Sequence, residues 1–135
     1  MVKLKNIIQT AKDMGSFLTL LKAAKLLGFT EKFSTEAPYT IFASLESVFD
    51  EIPDSVIDEA FDDEEYLLDI INYHIVPGKY MIADLENIDS LKTLDGRSLT
   101  ITSDGGILVN NINIVMPDIE CSNGVIHAIY GILLP

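Results

Sequence analysis

Two histidines (His74 and His127), one cysteine (Cys121) and one arginine (Arg97) stand beside 21 aspartates and glutamates in a chain of 135 residues. His74, Cys121 and His127 are the donor types of a zinc site. No Cys-x-x-Cys, His-Glu-x-x-His or paired-histidine spacing joins them, so no metal is expected. A nucleophilic serine or cysteine needs a base within hydrogen-bond reach, and no Gly-x-Ser-x-Gly elbow is present. Residues 46–69 hold 11 acids, yet they lack the Asp-x-Asp-x-Asp-Gly loop and distal glutamate that wrap oxygens around calcium. Asp95-Gly96-Arg97 reverses the Arg-Gly-Asp tripeptide and reads as a turn. The residues therefore predict no catalytic centre, no metal and no cofactor.

The histidines have a simpler place. His74 shares a helical face with Leu67, Ile70 and Ile71 by its three- and four-residue spacing. His127 alternates with Val125 and Ile129 along a strand. Both patterns predict core histidines, neutral near pH 7, whose ring nitrogens find partners inside the fold. Cys121 reads as a small apolar residue, and a single cysteine excludes an intramolecular disulfide.

The elements that must carry these residues are legible in part. Leu4, Ile7, Ile8 and Ala11 make an apolar helical stripe. Ser16 is placed to cap a second helix bearing Phe17, Leu20, Leu21, Ala24 and Leu27, which Gly28 ends. Residues 39–43 form a short, buried β-branched and aromatic strand. Ser44 and Asp54 can cap two short helices, and Asp62 with Glu65 has capping-box spacing before Leu67. After Pro77-Gly78 the pattern becomes strands and tight turns. Leu99 and Ile101 alternate with polar residues, Asp104-Gly105-Gly106 and Asn110-Asn111 are hairpin signals, and Asn123-Gly124 is the favoured pair of a type I′ turn before a strand running almost to Pro135. Helices first and strands afterwards predict an α+β fold.

Length and composition predict one domain over residues 1–135. Hydrophobic residues make up 48% and the net charge is −12, an acidic globular chain that repels nucleic acid and anionic lipid. The charge is uneven: residues 1–32 carry six lysines against two acids, and the remainder three basic against 19 acidic residues. The first residues have no continuous apolar core, so they do not read as a secretory signal, and no stretch has the length of a membrane span.

Three stretches in order resemble the fasciclin domain. Thr40-Ile41-Phe42-Ala43 followed by Phe49 is similar to that family's first motif, and Tyr73-His74 with Val76-Pro77-Gly78 to its central one. Residues 122–127, which include Asn123, Gly124 and His127, with Leu133-Leu134-Pro135, are similar to its last. Ser44 stands where the family usually has proline, Leu45-Glu46-Ser47 replaces its usual segment, and Tyr130 replaces a frequent aspartate. The resemblance implies an antiparallel sheet in a wedge with helices packed around it. It also implies a non-enzymatic adhesion module, secreted or at the cell surface, that meets a protein or matrix partner through exposed loops. Positions proposed for integrin recognition in animal members match Tyr73, His74, Asp118 and Ile119 here. A soluble domain binding a small ligand or carbohydrate is the alternative, and an enzyme built on either histidine ranks last. Partner identity and oligomeric state are not legible.

Overall fold

A computed structural model describes residues 5–29, 38–103 and 105–133; Leu4, Asp104, Leu134 and Pro135 of the motifs above lie outside the described residues. Helix α1 (Ile7–Met14) is capped by the Asn6 side chain, which accepts from the Gln9 N–H at 2.8 Å, and it buries Ile7 and Ala11. Helix α2 (Leu18–Leu26) starts after Phe17 with no side-chain cap of its own. Ser16 turns back instead to the Met14 carbonyl at 3.5 Å. The cap comes from elsewhere in the chain: Glu46 accepts from both the Thr19 N–H and the Thr19 hydroxyl at 2.7 Å. A carboxylate there also suits the positive end of the helix.

Strand β1 (Tyr39–Ser44) is buried along its whole length. Ser44, expected to cap the next helix, is the last residue of this strand, and its hydroxyl donates to the Gly131 carbonyl at 2.7 Å. Helix α3 (Glu46–Phe49) then follows Leu45, α4 (Asp54–Asp62) follows Pro53, and α5 spans Glu64–Tyr73. Asp54 is thus the first helical residue rather than a cap. Helix α5 is capped by Asp63, one residue later than the Asp62–Glu65 spacing predicts, through the Tyr66 N–H at 3.2 Å. Strand β2 (Ile75–Pro77), helix α6 (Ile82–Leu85) and strands β3 (Ser90–Lys92), β4 (Ser98–Ser103), β5 (Ile107–Val109), β6 (Ile112–Cys121) and β7 (Gly124–Ile129) complete the chain.

The strands form one seven-stranded sheet in the order β2-β1-β7-β6-β5-β4-β3. The sheet is not antiparallel throughout: β1 and β7 run parallel, in register from Tyr39↔Gly124 to Ser44↔Ile129. Both strands are buried on both faces, the usual condition of parallel pairs, because apolar layers cover each side. One layer gathers Ile7, Phe17, Ala24 and Ile71 against Ile41, Ala43, Ile126 and Ala128. The other gathers Phe42, Val76, Leu85, Leu99 and Val109 around Ile129.

The turns show what sequence alone leaves open. Asn110 and Asn111 both take positive φ, 49° and 67°, as a hairpin of the primed type requires. Between β6 and β7 the loop is Ser122-Asn123, because Cys121 already pairs with Gly124. Strand β7 stops at Ile129, well short of Pro135; beyond it the Gly131 carbonyl accepts from the Ser44 side chain and the Leu133 N–H donates to the His74 ring. Asp95-Gly96-Arg97 is the turn it was read to be, closed by the Thr93 N–H on the Arg97 carbonyl at 2.9 Å.

Candidate functional site

Strand β6 carries two irregularities against β7, between Ile114 and Met116 and between Met116 and Ile119. Each adds one residue to β6, which bends the strand and re-aims its side chains. At the second bulge Asp118 adopts φ 59°, a left-handed conformation that aspartate tolerates better than most residues. Its backbone N–H donates to His127 Nδ1 at 3.1 Å, and its carboxylate accepts from the Ile82 N–H at 2.7 Å. Asp118 is exposed, Pro117 and Glu120 beside it are exposed, and Ile119 is half-buried, leaning into the apolar layer beneath α1.

His127 anchors this bulge from below. It is fully buried, and its Nε2–H donates to the Tyr80 carbonyl at 2.7 Å while Nδ1 accepts from Asp118. Phe42, paired with His127 across β1 and β7, stacks on its ring with centroids 5.8 Å apart. Thr40 holds the same loop from β1: its hydroxyl donates to the Gly78 carbonyl at 2.7 Å and accepts from the Tyr80 N–H at 2.8 Å. A chain of polar contacts therefore runs from Thr40 through Tyr80 and His127 to Asp118 and the start of α6. The part played by the Tyr80 and Ile82 backbone carries no sequence signal, because any residue type supplies those atoms.

His74 serves a second junction. It ends α5, where its own N–H turns to Ile71 and Asn72, so the Ile70 carbonyl has lost its helical donor. The His74 Nδ1–H takes that carbonyl at 2.7 Å, and Nε2 accepts from the buried Leu133 N–H at 3.0 Å. Tyr73 is pinned likewise: its hydroxyl donates to the Ser98 carbonyl at 3.1 Å and accepts from Asn110 Nδ2 at 3.0 Å. Tyr73 and His74 are 6% and 3% exposed. Of the four residues expected at a partner surface, these two lie inside, out of reach of a partner docking on the folded protein. Asp118 and Ile119 remain. Of the other motif residues, Asn123 accepts from the Ile7 N–H at 2.9 Å, and Phe49 is half-buried beside an apolar cavity under α4.

Burial lowers the pKa of both histidines. His74 falls to about 4 through burial, with its bond to the Ile70 carbonyl acting in the opposite direction. At His127 the same desolvation is partly offset by the Tyr80 carbonyl and the Asp118 carboxylate. Burial pushes the Cys121 thiol up, the opposite of what a reactive thiolate needs. Unfolded, His74 titrates near 6.5, so below that pH the unfolded chain binds more protons than the folded one. The contribution is whole above pH 6.5 and is lost as pH falls toward 4, at about 1.4 kcal/mol per pH unit and about 3 kcal/mol in all. Urea unfolding midpoints of wild type and His74→Gln across that range check this. The wild type is expected to lose stability more steeply, and parallel curves would contradict it.

Among the described residues, no group of three or more His, Cys, Asp or Glu side chains converges on a point where a metal could sit. His74 and His127 stand at separate junctions, each with both ring nitrogens committed to backbone partners. No helix among the described residues is long and apolar enough to cross a membrane.

A family model for the fasciclin domain matches residues 12–135. The chain belongs to the fasciclin domain family. Among its relatives are two proteins of Synechocystis sp., sll1483 and sll1735. The first is 33% identical over 132 residues, covering 96% of this chain and 73% of that protein. The second is 30% identical over 129 residues, covering 96% and 97%. Rabbit transforming growth factor-beta-induced protein ig-h3 is 27% identical over 130 residues, which is 96% of this chain but 19% of that protein. The fold matches that of a fasciclin domain pair from the insect cell adhesion molecule fasciclin I, with TM-score 0.84 and 21% identity over 97% of this chain and 51% of that one. Within this fasciclin domain, Thr40, Phe42 and His127 meet in one cluster, while Tyr73 and His74 brace the end of α5.

Proposed function

We propose that this fasciclin domain is a non-enzymatic adhesion or surface-recognition module that docks a protein or matrix partner on the face around Asp118 and Ile119. The observation that carries the reading is the bulge itself. An exposed carboxylate sits on a strained, left-handed residue whose backbone is clamped by His127 and whose side chain is clamped by α6. A contact group held in one conformation before binding loses little entropy when a partner arrives. Asp118 supplies the charge that orients the partner, and Ile119, with exposed Met116 and Pro117 nearby, supplies apolar contact. The adhesion role of the insect relative supports the same reading.

The test uses Asp118→Asn, which keeps an acceptor for the Ile82 N–H and tolerates the left-handed backbone while removing the charge. Plates coated with wild type, Asp118→Asn or the exposed-helix control Asp58→Asn are compared for retention of cells of the organism that makes the protein. Asp118→Asn is expected to reduce retention about tenfold, on the order of 1.4 kcal/mol, with an unchanged melting temperature. Equal retention by all three proteins would remove the face from consideration, and loss with the control alone would move it to α4.

A further inference from the structure

We propose that a cavity between α2, α4 and α5 binds an uncharged, largely apolar small molecule, independently of the Asp118 face. The cavity measures about 340 Å³ and is walled by Phe49, Ile57, Phe61 and Ile70, among others. Three of its polar neighbours are already engaged, Thr19 with Glu46, Ser44 with the Gly131 carbonyl, and His74 with Ile70 and Leu133, while Tyr66 stands at the open rim. Water entering there would find few partners, and apolar cavities of this kind stay dry or take apolar guests.

Size and charge narrow the guest. A cavity of roughly 150 Å³ accepts benzene, so about 340 Å³ suits a molecule of about two rings or a chain of about ten carbons. The rim is open to solvent at Val56 and Tyr66, which are 52% and 48% exposed. The helices that bear these residues carry Asp54, Asp58, Glu59, Asp62, Glu64, Glu65 and Asp69, and no lysine or arginine occurs from residue 33 to 78. Lys22 on α2 is drawn over the face of Phe61, 5.3 Å from its centroid. The field of these two acidic helices disfavours an anionic head group, so a neutral guest is favoured over an anionic one.

The neutral fluorophore N-phenylnaphthylamine and its anionic counterpart anilinonaphthalene sulfonate distinguish the possibilities at low salt. Wild type is expected to bind the neutral probe saturably, one to one, with a raised melting temperature, and the sulfonate at least about tenfold more weakly. Decanol should displace the neutral probe and decanoate should not. Ala60→Phe and Ala23→Leu put new carbons into the cavity, and each is expected to weaken the neutral probe about tenfold or more. If one of them fails to fold, the other variant and the wild-type displacement series still decide. No saturable binding of the neutral probe to wild type would overturn the site, as would undiminished binding to folded cavity-filled variants. Equal affinity for the two probes would overturn the charge selection.

Discussion

Gly124→Ala is expected to cost at least about 4 kcal/mol, enough to leave little folded protein at 37 °C from a domain stable by about 5–15 kcal/mol. A β-carbon at Gly124 would stand 2.0 Å from the Tyr39 carbonyl oxygen and 3.0 Å from Ile7 Cδ1. The obstacle is backbone, so it cannot swing aside. Relief requires β1 and β7 to part at the first pair of their parallel register, where the Tyr39 N–H also bonds the Asn123 carbonyl at 3.1 Å. Gly15 is the control, since a β-carbon there meets nothing within 4 Å and only its φ of 69° resists substitution. Gly15→Ala should cost about 1 kcal/mol. Urea unfolding of the two variants, followed by circular dichroism, measures the contrast, and similar midpoints would contradict the close approach.

His74→Ala is expected to destabilise by about 3–5 kcal/mol. Removing the ring opens a hole in the core and strands two buried backbone groups, the Ile70 carbonyl and the Leu133 N–H, at about 1–3 kcal/mol for each unsatisfied group. His74→Gln retains one donor and one acceptor, so it should recover part of the loss. A catalytic histidine would behave in the opposite way, losing turnover in both variants with little change in melting temperature. An unchanged unfolding midpoint for His74→Ala would therefore remove the bracing role.

The two expectations differ in how visible they were beforehand. The helical spacing of His74 with Leu67, Ile70 and Ile71 announces a buried ring, because local periodicity decides which face of a helix turns inward. The Asn-Gly pair announces a turn, but the structure gives the glycine another duty. Asn123 sits in the loop, and Gly124 opens β7 where β1 passes too close for any side chain. A neighbour more than 80 residues away along the chain creates that demand, so no local pattern encodes it. Capping failed for a similar reason. Ser16 and Ser44 have the right chemistry for helix starts, yet Glu46 caps α2 across 27 residues and Ser44 is drawn to Gly131.

The sequence by itself determined the helix-then-strand order, the buried strand at residues 39–43, the Asn110-Asn111 turn, the inward histidines and the fasciclin resemblance. All of these rest on side-chain type and short-range spacing, which act before the chain has found its distant neighbours. Only the tertiary structure decided that Tyr73 faces inward, that His74 braces the end of α5, and that β1 and β7 run parallel. It also decided that Asp118 is presented on a bulge clamped by His127, and that a cavity opens beneath α4. Those features depend on which backbone groups are left unpaired when the sheet closes, and on how well helices of fixed shape fill the space over it.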